Sequence, residues 1–136
     1  MSKENVEIVK RVTDAFNERD VETFMALTTP DFEWFPAMDR LIEGGSYRGR
    51  EGIEAYFEAN SRTWEEFQLL PDEFRDLGDR VLWLGRVEAR GRSSGARVDT
   101  PLGAVVEFRD GKPSRIRAYL DHDEALRAAG LAEEKE

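Results

Sequence analysis

Apolar residues in the first half of the chain recur at spacings of three and four, which predicts amphipathic helices rather than strands. A first set comprises Val6, Val9, Val12 and Phe16, and a second comprises Val21, Phe24 and Leu27. A third set, in a helix predicted to begin near Arg50, comprises Ile53, Tyr56, Phe57, Asn60 and Trp64. Asp20 directly precedes the second set, where its carboxylate would cap the exposed amides of a helix N-terminus. The first half therefore predicts three helices, each with one apolar face.

The second half of the chain changes to the pattern of strands separated by turns. The predicted strands are Phe67–Asp76, Val81–Arg90, Val98–Phe108 and Ser114–Leu120. Pro71 cannot donate a ladder hydrogen bond, so it predicts a bend or bulge in the first of these strands. Asp110 and Gly111 form a two-residue hairpin signal between the last two strands. This order predicts a curved antiparallel meander.

Shorter segments complete the predicted order of elements. Phe32–Pro36 predicts a short strand, whereas Ala37–Gly49, with three glycines, predicts a loop. Asp121 predicts the N-cap of a short final helix that ends at Gly130. The polar residues Glu133–Glu136 predict a frayed tail.

The order of the elements and the length of the chain predict one domain of the α+β class. Helices that precede an antiparallel sheet are typical of that class, here with one sheet wrapped around the helices. A chain of 136 residues fits a single domain. We expect it to span 1–136, with an ordered core over about 3–131.

Composition excludes several classes of site. The chain has no cysteine and one histidine, His122, so thiol chemistry, disulfides and a zinc site built on imidazoles are excluded. A net charge of −9 repels phosphates, so a nucleic-acid partner is not expected. No long apolar run occurs, which predicts a cytoplasmic protein without a membrane partner. We expect neither a metal nor a cofactor.

Several segments, taken in order, resemble the SnoaL-like proteins of the nuclear transport factor 2-like superfamily. The matching segments are Pro30–Trp34, Tyr47–Ile53, Leu77–Val81, Phe108–Lys112 and Tyr119–Leu131. The resemblance implies a cone-shaped barrel, in which a strongly bent, mixed or antiparallel sheet is closed at one end by three helices around an apolar pocket. It also implies a homodimer formed through the outer face of the sheet. This fold hosts isomerases, cyclases, hydrolases, dehydratases and non-catalytic binders, so it does not select the function.

Two catalytic patterns of the superfamily are incomplete in this chain. Ketosteroid isomerase has an aspartate base before a proline and a tyrosine on its first helix, and the positions that resemble them hold Phe35 and Phe16. Limonene epoxide hydrolase has an Arg-x-Asp pair, which Arg86 and Glu88 resemble, but the position of its second acid holds Ala118. Both activities are therefore disfavoured.

Glu33 is the foremost candidate for a proton carrier. It lies beside Phe32 and Trp34 in an apolar stretch, and such a setting suits a carboxyl group to general acid or base work. Trp34 would supply a stacking wall for a flat ligand. The alternative is that Glu33 points to water or pairs with an arginine on a neighbouring strand.

Arg86 and Glu88 are two positions apart, so they share one face of their predicted strand. In a pocket, Arg86 would stabilise developing negative charge while Glu88 moves a proton. On the outer face, the two would form an ordinary surface charge pair. The sequence leaves open which face is inside.

Further side chains are expected to contact a ligand. The expected ligand-binding residues are Phe16, Trp34, Tyr56 and Tyr119. For Tyr56 the alternative is an ordinary place in the core, and for Tyr119 it is a cover for the sheet. For Asp121, helix capping is favoured over catalysis, which leaves His122 as a surface residue of the first helical turn.

The expected function is the binding of a small hydrophobic molecule. If the protein is catalytic, we expect acid–base chemistry without a cofactor, such as isomerisation, cyclisation, or the addition and loss of water. Glu33 would then carry the proton. One alternative is a non-catalytic binding module that uses the same pocket. Another is an assembly module that uses the outer face of its sheet.

Overall fold

The computed structural model of the chain describes residues 2–37 and 46–131. The elements are helices α1 (Ser2–Glu18), α2 (Val21–Leu27), α3 (Gly49–Thr63) and α4 (His122–Ala128), and strands β1 (Glu33–Phe35), β2 (Tyr47–Arg48), β3 (Trp64–Asp76), β4 (Arg80–Gly91), β5 (Arg97–Arg109) and β6 (Lys112–Tyr119). The predicted α+β class is confirmed. None of the helices in the described ranges has both the length and the hydropathy that a bilayer crossing requires.

All six strands belong to one mixed sheet with the order β2-β1-β6-β5-β4-β3. β1 runs parallel to β6, and the other neighbouring pairs are antiparallel. The long strands β3 to β6 follow one another as a meander, as predicted. In the described part of the chain β2 and β3 are the two edges and share no ladder, so the sheet itself is open and helices cover one of its faces.

The two faces of the sheet carry separate apolar clusters. We call the face that packs against α1, α2 and α3 the inner face. From β4 it contributes Val81, Trp83, Val87 and Ala89. The outer face contributes Leu82 and Leu84 from the same strand, which pack with Ala125 and Ala129 of α4. Strict alternation along β4 therefore divides the core into a large cluster under three helices and a small one under α4.

The predicted caps and the hairpin turn are confirmed. A carboxylate oxygen of Asp20 accepts a hydrogen bond from the backbone amide of Thr23 at 3.1 Å. Asp121 accepts one from the amide of Asp123 at 2.7 Å. Asp110 and Gly111 have φ angles of 55° and 80°, the left-handed conformation that a two-residue hairpin requires at both positions.

The irregularity predicted at Pro71 is a bulge in β3. The register between β3 and β4 shifts between Pro71 and Glu73, opposite Gly85. A Cβ atom on Gly85 would lie 2.2 Å from the carbonyl oxygen of Leu70, so the two strands approach here only because residue 85 is glycine. The Gly85 carbonyl lies 2.7 Å from Nε2 of His122, which is half-buried rather than a surface residue.

Two predicted boundaries are wrong. Trp64 was expected on the third helix, but α3 ends at Thr63 and Trp64 begins β3 with extended backbone angles. Tyr47 and Arg48 were expected in a loop, but they pair with β1 as strand β2. In both cases a ladder with a distant strand, which local spacing does not reveal, determines the structure. Residues 38–45 of the predicted loop and the predicted tail at 133–136 lie outside the described residues.

Candidate functional site

An interior cavity lies between the helices and the inner face of the sheet. One part, beside α1, has a volume of about 40 Å³ and is lined by Val12, Phe16 and Trp83 among others. A second part, beside α3, has a volume of about 200 Å³ and is lined by Tyr56 and Asn60 among others. Both parts share the lining residues Trp34, Leu69, Leu102 and Ala118. The two parts are thus neighbours that share a lining from β1, β3, β5 and β6.

The described lining of this cavity is largely apolar. It includes no Asp, Glu, His, Lys or Arg residue in either part. Its polar groups are the hydroxyls of Thr13, Tyr56 and Thr63, the amide of Asn60, and the indole N–H groups of Trp34, Trp64 and Trp83. Within the described residues, the cavity therefore selects by shape and by hydrogen bonds and not by charge.

Aromatic rings form the wall between the two parts of the cavity. The ring of Phe16 lies 5.7 Å from that of Trp34, 5.8 Å from that of Tyr56 and 5.3 Å from that of Phe57, measured between centroids. Trp34 meets Tyr56 edge to face at 5.7 Å. Edge-to-face contacts of this kind fix ring orientation, so the wall has a defined shape.

A polar network connects the α1–α2 turn to the cavity. Nη2 of Arg19 donates to Oδ1 of Asn60 at 3.0 Å, and Nδ2 of Asn60 donates to the hydroxyl oxygen of Tyr56 at 3.3 Å. Arg19 also donates to the carbonyl oxygen of Phe16 at 3.0 Å. Burial lowers the pKa of the Arg19 guanidinium, while Tyr56 opposes that effect electrostatically. Arg19 thus holds the amide of Asn60, which in turn holds Tyr56 at the cavity wall.

Two tryptophans of the lining differ in how their N–H groups are satisfied. Nε1 of Trp83 donates to Oγ1 of Thr13 at 3.1 Å, and that hydroxyl donates to the carbonyl oxygen of Val9 at 2.8 Å. Nε1 of Trp34 is buried and has no hydrogen-bond partner within the described residues. Trp34 is only 7% exposed, so solvent does not supply one freely.

The expected ligand-binding residues divide between the two faces of the sheet. Phe16, Trp34 and Tyr56 line the cavity. Tyr119 packs with Leu82 and Leu84 in the outer cluster, the second of its two predicted alternatives. The reason is register: Ala118 faces the cavity, so its neighbour on β6 faces the other way.

Glu33 lies on the outer face and not beside the cavity. It neighbours the inward-facing Trp34 on β1, and it pairs in register with Arg115 on β6. Nη2 of Arg115 donates to its carboxylate at 3.3 Å. This is the predicted alternative of a pair with an arginine on a neighbouring strand.

Arg86 and Glu88 also lie on the outer face. Their neighbours on β4, Val87 and Ala89, belong to the inner cluster. Nη1 of Arg86 lies 3.1 Å from a carboxylate oxygen of Glu88 and 3.7 Å from one of Asp99. Their side chains are 41% and 49% exposed, so they form the surface pair that was the alternative to a pocket role. The structure does not bring Glu33, Arg86 or Glu88 to the cavity.

Sequence reasoning did not single out Asn60 and Arg19 as site residues. Asn60 stands at a core-facing position of an otherwise apolar helix face, and a polar residue at such a position is a signal for a buried hydrogen-bond network. Arg19 gave no comparable signal, because its contacts with α3 and β3 depend on the tertiary structure.

Comparisons with solved structures identify relatives over nearly the whole chain. TerC, co-crystallised with polyporic acid, is 27% identical with a TM-score of 0.76, and the match covers 94% of this chain and 97% of TerC. An NTF2-like protein from Burkholderia xenovorans LB400 is 29% identical with a TM-score of 0.75, covering 94% and 97%. A SnoaL-like protein from Jannaschia sp. CCS1 is 20% identical with a TM-score of 0.74, covering 98% of this chain and 95% of that protein, and shows the fold alone.

The family of the chain follows from a direct match to a family model. A search of the curated proteins found no match. The model described as the SnoaL-like domain matches residues 9–116, which is most of the chain and includes α2, α3, β1 to β5, parts of α1 and β6, and most of the cavity lining. The resemblance found in the sequence motifs is therefore confirmed, and the chain belongs to the SnoaL-like domain family.

Proposed function

We propose that this protein binds a small, largely apolar molecule in the interior cavity. The observation that carries the proposal is the two-part cavity, whose described lining holds aromatic and aliphatic side chains and no charged group. An engineered apolar cavity of about 150 Å³ is enough to bind benzene. The part beside α3, at about 200 Å³, has room for a ligand somewhat larger than one ring.

A relative supports the same conclusion. TerC, 27% identical over nearly its whole length, was crystallised with a small organic molecule, polyporic acid. For the present chain, Phe16, Trp34 and Tyr56 are the proposed contacts, because their rings stand together in the wall of the cavity.

Binding without chemical change is favoured over acid–base catalysis. The three proposed catalytic groups, Glu33, Arg86 and Glu88, have partners on the outer face of the sheet. A carboxylate there would have to cross the sheet to reach a molecule in the cavity. Among the described lining residues, no carboxyl or imidazole group is available to move a proton.

The test is isothermal titration calorimetry, in which indane, a nonpolar bicyclic molecule, is titrated into the protein. Ala118 lines both parts of the cavity, so Ala118→Phe would fill the space where they meet. We expect the wild-type protein to bind indane and Ala118→Phe to lose at least about tenfold in affinity, since the ring replaces the ligand volume. Arg117→Ala is the matched control, because Arg117 is the exposed neighbour on the outer face.

The outcomes are distinct. Unchanged binding by Arg117→Ala, with loss in Ala118→Phe and a circular dichroism spectrum that remains native, supports the proposal. Equal affinity of Ala118→Phe and wild type places indane elsewhere and contradicts it. Failure of the wild type to bind either indane or its ketone analogue 1-indanone, each at its solubility limit, contradicts it as well.

We also propose a homodimer in the cytoplasm without a nucleic-acid partner. Dimers through the outer face of the sheet are common in the family, and in this chain α4 covers the part of that face around Leu82 and Leu84. The net charge of −9 disfavours binding to phosphates. Light scattering coupled to size exclusion tests the dimer: a mass of twice 15.6 kDa supports it, and a mass of 15.6 kDa contradicts it.

A further inference from the structure

Trp34 carries a buried hydrogen-bond donor that the described protein does not satisfy. Its Nε1 has essentially no exposed surface and no partner, although the residue lines both parts of the cavity. Folding removes such an N–H from water, and an unmade hydrogen bond leaves that desolvation uncompensated. Most buried polar groups in native proteins have a partner, so an exception at a cavity wall points to a partner that arrives from outside the chain.

Trp83 provides the internal comparison. It lines the same cavity and is equally well buried, but its N–H meets the hydroxyl of Thr13 at 3.1 Å. That hydroxyl in turn donates to the carbonyl oxygen of Val9, so both donors in this series of two hydrogen bonds have an acceptor. The fold therefore supplies an acceptor for the tryptophan on β4 and supplies none, within the described residues, for the tryptophan on β1.

We propose that Nε1 of Trp34 donates a hydrogen bond to a neutral acceptor oxygen of the bound molecule. This inference rests on the proposed function, because it names the polar group that the apolar ligand carries. A carbonyl oxygen fits the site, since an indole N–H only donates. A carboxylate does not fit, because none of the described lining residues is a cation and a buried anion without a counter-charge is costly. The ligand class is therefore a ring compound that carries a neutral acceptor oxygen, and a ketone is the simplest probe for it.

The test compares two probes of nearly equal shape, 1-indanone and indane, which differ by one carbonyl oxygen. Calorimetry gives the affinity ratio of indanone to indane for wild type, Trp34→Phe and Trp83→Phe. Both substitutions keep an aromatic ring and enlarge the cavity alike, so the ratio isolates the hydrogen bond to the ligand. We expect Trp34→Phe to lower the ratio about three- to tenfold, the usual range for one hydrogen bond, and Trp83→Phe to leave it within about twofold.

A second measurement is made on the wild-type protein, needs the variants only to assign its resonances, and stays informative if one variant does not fold. The sequence has three tryptophans, so three indole N–H resonances appear in a ¹⁵N spectrum and are assigned by the variants that fold. We expect the Trp34 resonance to move downfield with indanone and not with indane, because an N–H that gains an acceptor is deshielded. An equal response to both probes would overturn the inference.

The two proposals fail in different ways. If both probes bind but Trp34→Phe leaves their ratio unchanged, the cavity binds apolar molecules and the role of Trp34 is overturned. If neither probe binds the wild-type protein, the proposed function fails and the role of Trp34 fails with it. If Trp34→Phe and Trp83→Phe lower the ratio of indanone affinity to indane affinity equally, the inference is also overturned, because the change would then reflect altered packing.

Discussion

The inner and outer faces of this sheet are built from the same strands and have opposite chemistry. On β4, Val87 belongs to the inner cluster, while its neighbours Arg86 and Glu88 form an ion pair on the outer face. On β1, Trp34 lines the cavity, while Glu33 is paired with Arg115. The charged residues that resembled a catalytic site therefore have partners on the outer face, and the cavity lies on the uncharged inner face.

The outer face arranges its charges in register across the sheet. One row runs through β2, β1, β6, β5 and β4 and consists of Arg48, Glu33, Arg115, Glu107 and Arg80. The sign alternates at every step of this row, so each charge faces the opposite one on the next strand. Exposed pairs of this kind contribute little to stability individually. The row gives each of its five residues a neighbour of opposite charge within the sheet.

The largest effect is expected from placing a charge on the inner face. Val87 is 0% exposed, so Val87→Asp buries a carboxylate without a partner and should cost about 3 kcal/mol or more. The adjacent change Arg86→Ala, on the outer face, should cost less than about 1 kcal/mol. Urea denaturation of both variants measures the difference. Similar losses in the two would contradict the separation of the faces.

A smaller loss of stability is expected when the network behind Tyr56 is broken. Arg19→Ala removes the donor to Oδ1 of the buried Asn60, which should cost about 1–3 kcal/mol because the amide oxygen stays unsatisfied. Arg62→Ala is the control, since Arg62 makes only an exposed pair with Glu58 on the same helix. Equal denaturation midpoints for the two variants would refute a structural role for Arg19.

How much of this could be predicted from sequence depends on the range of the interactions involved. Asp20, Asp121 and the Asp110–Gly111 turn were predicted correctly, because a cap or a tight turn is determined by a few neighbouring residues. Trp64 and Tyr47 were placed in the wrong elements, because their backbone conformation depends on ladders with β4 and β1.

The candidate site was harder to predict than the fold. Alternation sorted Arg86 from Val87 correctly, but it could not identify which face meets the helices. That choice depends on the packing of α1 against the sheet. The sequence predicted that Trp34 lines the pocket. It could not predict that the N–H of Trp34 lacks a partner, because that depends on where every acceptor in the described part of the chain lies.

A small, pH-dependent effect is expected at the outer end of the sheet. Arg109 donates a hydrogen bond to Asp31 and holds the pKa of that carboxyl below its ordinary value of 3.8. Because the folded-state pKa is the lower one, the pair stabilises the fold fully above pH 3.8, and this contribution is lost as the pH falls through the folded-state pKa.

Thermal melts of wild type and Asp31→Asn test this pair. The difference in Tm should be small at pH 7, since both side chains are about half exposed, and should shrink further at pH 2. Arg109→Gln should show the same trend, and the double variant should add nothing to either single change. A difference in Tm that grows on acidification would contradict the assignment.

The smallest effect is expected for ligand binding when the outer carboxylate is neutralised. Glu33→Gln should leave the affinity for indane within about twofold, because the side chain lies across the sheet from the cavity and an exposed pair has little influence at that distance. Calorimetry measures this affinity, and the loss expected for Ala118→Phe is the effect with which it is compared. A tenfold or larger loss in Glu33→Gln would return the outer face to consideration as the functional site.

The most direct test of the central claim is a methyl NMR titration with indane, because leucines report on both faces at once. Leu69 and Leu102 line the cavity, whereas Leu82 and Leu84 lie in the outer cluster. The account predicts that the methyl resonances of Leu69 and Leu102 shift on titration and that those of Leu82 and Leu84 stay in place. Shifts confined to Leu82 and Leu84 would show that the ligand binds the outer face, and would contradict the account.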